Sequence, residues 1–168
     1  MATIRPFKGF RPTPELCSKV AALPYDVMTS KEAREMVKND PYSFLHVDRA
    51  EIDLPENVDI YSKEVYEKAA SNLNKMIEDK VLIQDNKPVF YIYSLTMNGR
   101  EQIGLVVCTS IDEYLNNTIK KHEFTRADKE QDRINHVDYC NANTGPIFLT
   151  YKNQKTIDQI ISKEIEKA

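Results

Sequence analysis

Glycine is scarce in this chain: there are four in 168 residues. None falls in the G-x-x-x-x-G-K-[ST] spacing that wraps nucleotide phosphates, so a standard P-loop NTPase is excluded. Tryptophan is absent. The three cysteines, Cys17, Cys108 and Cys140, are an odd count without metal-ligand spacing. They read as reduced thiols in a cytoplasmic protein, with Cys108 expected in the core because its neighbours are apolar. No apolar run approaches the roughly 20 residues that cross a bilayer, and the N-terminus has no signal-peptide core. Neither sign of charge dominates, since the formal net charge is −3. That balance gives no general pull toward nucleic acid or an anionic membrane, and basic residues are not interleaved with aromatics as in nucleic-acid binders.

What is present is concentrated in one stretch. Lys120 to Arg133 holds five Lys or Arg, four acids and His122 within fourteen residues, with no Gly or Pro. Thr125 and Asp128 have the spacing of a capping box. A helix is expected from about Arg126 to about Cys140. On it Arg126, Lys129, Arg133 and His136 share a face, while Ala127, Ile134 and Val137 point elsewhere and are expected to dock on the body. His122 and Glu123 precede the helix, at the positive end of its dipole. Such a convergence suits a phosphate or carboxylate. The same spacing also fits a solvated face laced with weak ion pairs, and His122-Glu123 also fits a simple capping pair.

Along the rest of the chain, residues 4–12 read as an extended segment punctuated by Pro6 and Pro12. Arg5 and Arg11 within it are either anion contacts or simply exposed. Thr13-Pro14 opens a short helix ending by Ala22, and Thr29 with Glu32 caps a second from about Ser30 to Lys38. Between them lies Pro24-Tyr25-Asp26-Val27, where Asp26 is a candidate base or metal ligand, or the organiser of its own turn. Ser43 to Asp48 alternates like a strand, with Phe44 and His46 on one face. His46 is there either a structural residue or a catalyst. Residues 49–59 read as a loop, and Ile60 to Lys80 as the clearest helix, with Val65, Ala69, Leu73 and Met76-Ile77 as its stripe. Asn98-Gly99 joins two apolar strands as a tight hairpin. A short helix at Ile111–Leu115, a strand at Ile147–Tyr151 and a last helix over 156–167 complete the reading. The class is α+β in one domain over 1–168: a mostly antiparallel sheet centred on the 88–109 hairpin, with helices packed on it.

Several blocks carry a resemblance. They are Ile4-Arg5-Pro6-Phe7-Lys8-Gly9, Pro24-Tyr25-Asp26-Val27, Ser43-Phe44-Leu45-His46-Val47, Glu51-Ile52-Asp53-Leu54-Pro55, Lys120 to Arg126, and Asn143-Thr144-Gly145-Pro146. The chain is similar through them to a large bacterial family carried as a domain of unknown function, which itself resembles the ParB/sulfiredoxin-like free serine kinases. That resemblance implies phosphoryl transfer between serine or phosphoserine and an adenine nucleotide, with ADP or ATP and Mg as cofactors. Longer members carry an Asp-Gly-His-His-Arg block downstream. The resemblance therefore implies an N-terminal portion whose partner is its own missing C-terminal region, and which would not turn over alone.

The roles it implies are these. Arg126, Lys129 and Arg133 would neutralise phosphate oxygens, as phosphoryl transfer requires. His122 or Glu123 would hold a metal or move the serine hydroxyl proton, with Asp26 as the other candidate base. His46 and Arg49 would contact substrate carboxylate or support the site. Asn143, Thr144 and Gly145 would offer backbone N–H groups to an anion. The alternative is a non-catalytic anion- or nucleotide-binding or docking domain.

Overall fold

The computed structural model describes residues 2–121 and 124–167. Among them are seven α-helices and three two-stranded antiparallel sheets, an α+β protein. The contacts divide the chain into two compact units: Met1–Phe7, Val89–Ile119 and Gly145–Ala168 form the first, and Lys8–Pro88 with Lys120–Thr144 the second.

The first unit is built on a hairpin. Strand β4 (Tyr91–Met97) pairs with β5 (Arg100–Val106) from Tyr91↔Val106 to Met97↔Arg100. Asn98 and Gly99 turn it with φ of 51° and 76°, the positive values a primed turn demands and these two residues tolerate. Strand β1 (Ile4–Arg5) pairs with β6 (Cys108–Thr109), and Phe7 bridges to Val89. Helix α5 (Ile111–Leu115) is capped by Ser110, whose Oγ accepts from the Glu113 N–H. Glu113 in turn accepts from the Thr3 N–H and hydroxyl at 2.6 and 2.8 Å. Helix α7 (Lys155–Ile165) buries Ile161. Two expectations fail here. Cys108 is exposed, because its strand has one neighbour and no second layer over it. Residues 147–151 are not a strand: they have no pairing partner, and Ile147 and Phe148 are each 76% exposed.

The second unit carries the apolar core. Helix α4 (Lys63–Glu78) turns Val65, Tyr66, Ala69, Leu73 and Met76 inward. Each large side chain so buried contributes about 1.5–3 kcal/mol by leaving water. Against it pack Val20 from α1 (Cys17–Val20), Val47 from α3 (Leu45–Asp48), and Cys140 from α6 (Ala127–Cys140). A smaller cluster joins Ala33 and Val37 of α2 (Ser30–Val37) to Leu45 and Ile52. The Thr29–Glu32 box forms as read, Thr29 Oγ1 accepting from the Glu32 N–H while Glu32 accepts from the Thr29 N–H at 2.8 Å. Strand β2 (Phe10–Pro12) pairs with β3 (Leu82–Gln84), and Arg11 forks onto Asp85 at 2.6 and 3.0 Å.

Three local expectations are corrected. The stretch from Ser43 to Asp48 is not a strand but the turn leading into α3, and residues 50–53 of the expected loop form a 3₁₀ turn. Asp40 and Ser43 accept the Tyr42 and Leu45 N–H groups, which starts a helix, and one helical turn buries Leu45 and Val47. The first helix is shorter than expected and begins after Leu16, without Thr13 as its cap. The Thr125–Asp128 box does not form either. Arg126 is the cap residue of α6, and its guanidinium draws off the Asp128 carboxylate at 2.8 and 3.1 Å.

Candidate functional site

Helix α6 is rotated from the expected orientation. Ile134 and Val137, expected to dock, are 46% and 36% exposed, whereas His136 is 4% exposed and Cys140 8%. The polar face carrying Asp132, Arg133 and His136 turns toward α4 and α3. A helix that presents polar side chains to its own protein must satisfy them there, or leave them for something else.

Part of that requirement is met by tyrosines. Tyr66 donates its hydroxyl to Asp132 Oδ1 at 2.9 Å, and the Tyr66 phenol is pushed up in pKa, first by burial. Lys129 donates to Tyr61 Oη at 2.8 Å and lies 5.3 Å from that ring's centroid. The Arg133 guanidinium stacks over Tyr25 at 4.3 Å and pairs with Asp132 Oδ2 at 3.0 Å. These contacts hold cations in place without neutralising all of them.

Across from α6 lies the segment 48–51. Arg49 pairs its Nε with Glu51 Oε1 at 3.0 Å, off the line of a hydrogen bond, and donates from Nη2 to Ser30 Oγ at 2.9 Å. Ser30 donates to Glu51 at 2.8 Å, closing a triad. Behind it Arg34 grips the backbone, donating to the carbonyls of Ile52, Glu51 and Leu54 at 2.7, 2.8 and 2.8 Å. One guanidinium on three carbonyls fixes the turn that aims Arg49 and Asp48.

Between these walls is a cleft of about 440 Å³, counting the part open to solvent, lined by Tyr25, Asp48, Arg49, Lys129, Arg133 and His136 among others. The enclosed part of that space is about 40 Å³, on the order of one or two water molecules. Four buried polar atoms of residues lining this cleft have no hydrogen-bond partner among the described residues: Asp48 Oδ1, Arg133 Nε, His136 Nδ1, and Arg49 Nε, which faces Glu51 only as an ion pair. His136 Nε2 must donate to the Val47 carbonyl at 3.1 Å, so in the neutral ring Nδ1 is an acceptor. Arg133 Nε–H is a donor. Asp48 is pushed up in pKa by burial, against the hydrogen bond from Thr144 and the charges of His136 and Arg133. A cleft thus presents a carboxylate, an imidazole and two guanidiniums, with one polar atom of each lacking a hydrogen-bond partner. Groups of these types are ones that can bind charge or carry a proton.

The sequence-nominated residues divide as follows. Arg49, Lys129 and Arg133 come together at the cleft. Thr144 reaches it through its bond to Asp48. Arg126 is exposed and occupied by Asp128. Asp26 and Asn143 are exposed, and of the Pro24–Val27 block it is Tyr25 that lines the cleft. Gly145 belongs to the first unit. His46 is engaged elsewhere, with Nδ1 2.9 Å from Asp53 and Nε2 3.1 Å from the Asp40 carbonyl. His122 and Glu123 lie outside the described residues. Sequence reasoning missed Asp48 as a site residue and took His136 only as a member of the basic face. The available signal was the i, i+3, i+7 run Lys129, Asp132, His136, which is polar where a docked helix should be apolar.

The protein this fold and cleft define is an α+β protein with a small polar cleft between helix α6 and the 48–51 turn. The chain belongs to the family described as "Protein of unknown function (DUF1015)", whose model matches residues 4–168. No curated protein and no solved structure matches it. Among the described residues no helix is long and apolar enough to cross a membrane.

Proposed function

We propose that this cleft holds the phosphoryl end of a small metabolite, and that the protein serves phosphoryl transfer between serine or phosphoserine and an adenine nucleotide. The observation that carries the reading is the meeting of Arg133, Lys129 and Arg49 with Asp48 and His136 at one cleft, with the Arg133 Nε–H unengaged. Phosphoryl transfer asks a protein chiefly for positioned cations and a proton acceptor, and these are the groups assembled. The resemblance of the chain's family to the ParB-like free serine kinases, as read from the sequence blocks, supports the same substrate class.

Of the cofactors that similarity implies, magnesium finds one carboxylate not already paired with a guanidinium, Asp48. Glu51 and Asp132 are engaged by Arg49 and Arg133. No cluster of three His, Cys, Asp or Glu stands together among the described residues. Magnesium is therefore expected to arrive on the nucleotide phosphates, as it commonly does. Arg126, Asp26, Asn143 and Gly145 are no part of this cleft in the proposal. His122 and Glu123, outside the described residues, remain candidates.

A second reading, a non-catalytic anion-binding or docking domain, is favoured by one observation: Arg49, Lys129 and Arg133 each already contact a protein partner. Phosphorus NMR of phosphoserine, ADP and magnesium separates the two. It should be run with the wild-type protein and with Arg133→Ala. Conversion to ATP and serine by the wild type, lost in Arg133→Ala, supports the transferase. Binding without conversion by either supports the docking domain, and an unchanged spectrum overturns both.

A further inference from the structure

The second unit has another hollow, made of different residues from the α6 cleft. It is an open groove of about 350 Å³, within the range of small-molecule sites. Val37 of α2 and Leu45 of α3, both buried, line it from the core side. The run Ala21-Ala22-Leu23 also lines it, and is tied in place where the Phe44 N–H donates to the Val20 carbonyl at 3.0 Å. Leu23 and Met36 are half-exposed there. Apolar side chains around a hollow offer water few partners, so an apolar body is favoured in it.

The polar residues of the groove are Asp40 and Ser43. The turn that carries them is held from several directions. The Asp40 N–H donates to the Val37 carbonyl at 2.8 Å, and the Asp40 carbonyl accepts from His46 Nε2 at 3.1 Å. Asp40 Oδ1 accepts from the Tyr42 N–H at 3.2 Å, which leaves Oδ2 without a partner among the described residues. No cation among them pairs with Asp40 within ion-pair distance. His46 pairs with Asp53, Lys38 pairs with Glu35, and Lys19 lies over the Tyr42 ring. Asp40 also follows the C-terminal end of α2, where the helix dipole is negative. The buried Ser43 Oγ accepts from the Leu45 N–H and keeps a second lone pair. A fixed negative charge beside an apolar hollow selects a ligand with a positive end.

We propose that this groove binds a small apolar ammonium ion, with its hydrocarbon on Val37 and Leu45 and its charge on Asp40 Oδ2 and Ser43 Oγ. No residue of the groove lines the α6 cleft, so the proposal stands or falls apart from the phosphate reading. A carboxylate in the same place would meet Asp40 as a like charge, and an uncharged alcohol would keep only the apolar contact.

Three probes of one chain length separate these contributions: hexylammonium, hexanol and hexanoate. They are titrated at pH 7 and followed by the carbon-13 methyl resonances of the methionines. The Met36 methyl is identified by its loss in Met36→Leu. It is expected to shift saturably with hexylammonium. That probe should bind roughly threefold to fivefold more tightly than hexanol, the scale of a partly exposed ion pair, with hexanoate weakest. Met97, more exposed and on the hairpin, is the control for adsorption to apolar surface and should show no saturation. Asp40→Asn keeps the oxygen that accepts the Tyr42 N–H, and should lower the hexylammonium affinity to that of hexanol. Urea unfolding verifies that the variant is folded. Leu23→Ser should weaken hexylammonium and hexanol alike. Equal affinities for those two probes in wild type, a preference that survives Asp40→Asn, or equal responses at Met36 and Met97 would each overturn the ammonium site.

Discussion

His136 Nε2 lies 3.1 Å from the carbonyl of Val47, a residue 89 positions earlier in the chain. Val47 is fully buried and His136 nearly so. This bond ties α6 to α3 and holds a proton on Nε2, leaving the buried Nδ1 without a hydrogen-bond partner among the described residues. One contact thus serves packing and chemistry together.

Asp48 is a carboxyl that burial penalises. Its raised pKa means that the folded state binds its proton more tightly than the unfolded chain does. Stability from this group is therefore full below the ordinary value of 3.8 and is lost as pH rises through the folded value. Asp48→Asn keeps the shape and the Thr144 contact without the charge. It is expected to be more stable than wild type at neutral pH by about 1 kcal/mol. Urea unfolding at pH 7 and pH 3.5 checks this, and the difference should shrink at the lower pH.

The His46–Asp53 pair behaves oppositely at its two ends. His46 is raised, first by its hydrogen bond to Asp53. Burial pushes Asp53 up, but His46, Asn72 and Lys68 together bring it below 3.8. The His46 contribution is full below 6.5 and is lost as pH rises through its folded value, and the Asp53 contribution is lost in acid. His46→Ala should cost about 1.5 kcal/mol near pH 5, and clearly less at pH 9. An equal cost at both values would show that the pair acts only by packing.

Arg34 should resist even conservative replacement. A lysine ammonium cannot reach three carbonyls in one plane. Arg34→Lys is expected to destabilise by about 2 kcal/mol and, because the 50–54 turn carries the backbone beside Asp48 and Arg49, to weaken phosphate-probe binding as well. Chemical denaturation and a phosphorus NMR titration with phosphoserine measure both effects.

How much of this was legible depended on the range of the interactions. The Thr29–Glu32 cap, the Asn98-Gly99 turn and the α4 stripe are decided within a few residues, and the sequence displays them. Ser43 to Asp48 misled because six residues alternate as well in a helical turn as in a strand, and the deciding bonds came from Asp40 and Ser43. The α6 face misled for a different reason. Ile134 and Val137 are the apolar residues, yet the buried ones are His136 and Cys140, whose partners Val47 and Asp48 lie some ninety residues away. Lys129 and Arg133 were readable as cations on the face of the expected helix, and Arg49 as a cation close to His46. Asp48 was not, since only its burial sets it apart from the other acids.

The thiols give an independent check on the cleft's surroundings. Cys140 is buried and its pKa is pushed up to about 11, first by burial and then by the Asp48 charge. Cys17 and Cys108 are exposed. Two thiols should react quickly with a disulfide reagent at pH 8 and Cys140 slowly, because the thiolate is the nucleophile. Asp48→Asn should speed the slow phase severalfold, and a slow phase that ignores that substitution would separate Cys140 from Asp48.

The most direct measurement is nitrogen NMR of the imidazoles, of which the chain has three. His136 is expected to carry a proton on Nε2, where the Val47 carbonyl accepts it, and O-phosphoserine should move its Nδ1 resonance while leaving His46 in place. Phosphoserine that binds without disturbing His136, or that leaves every imidazole unmoved at saturating concentration, would contradict the cleft as the binding site.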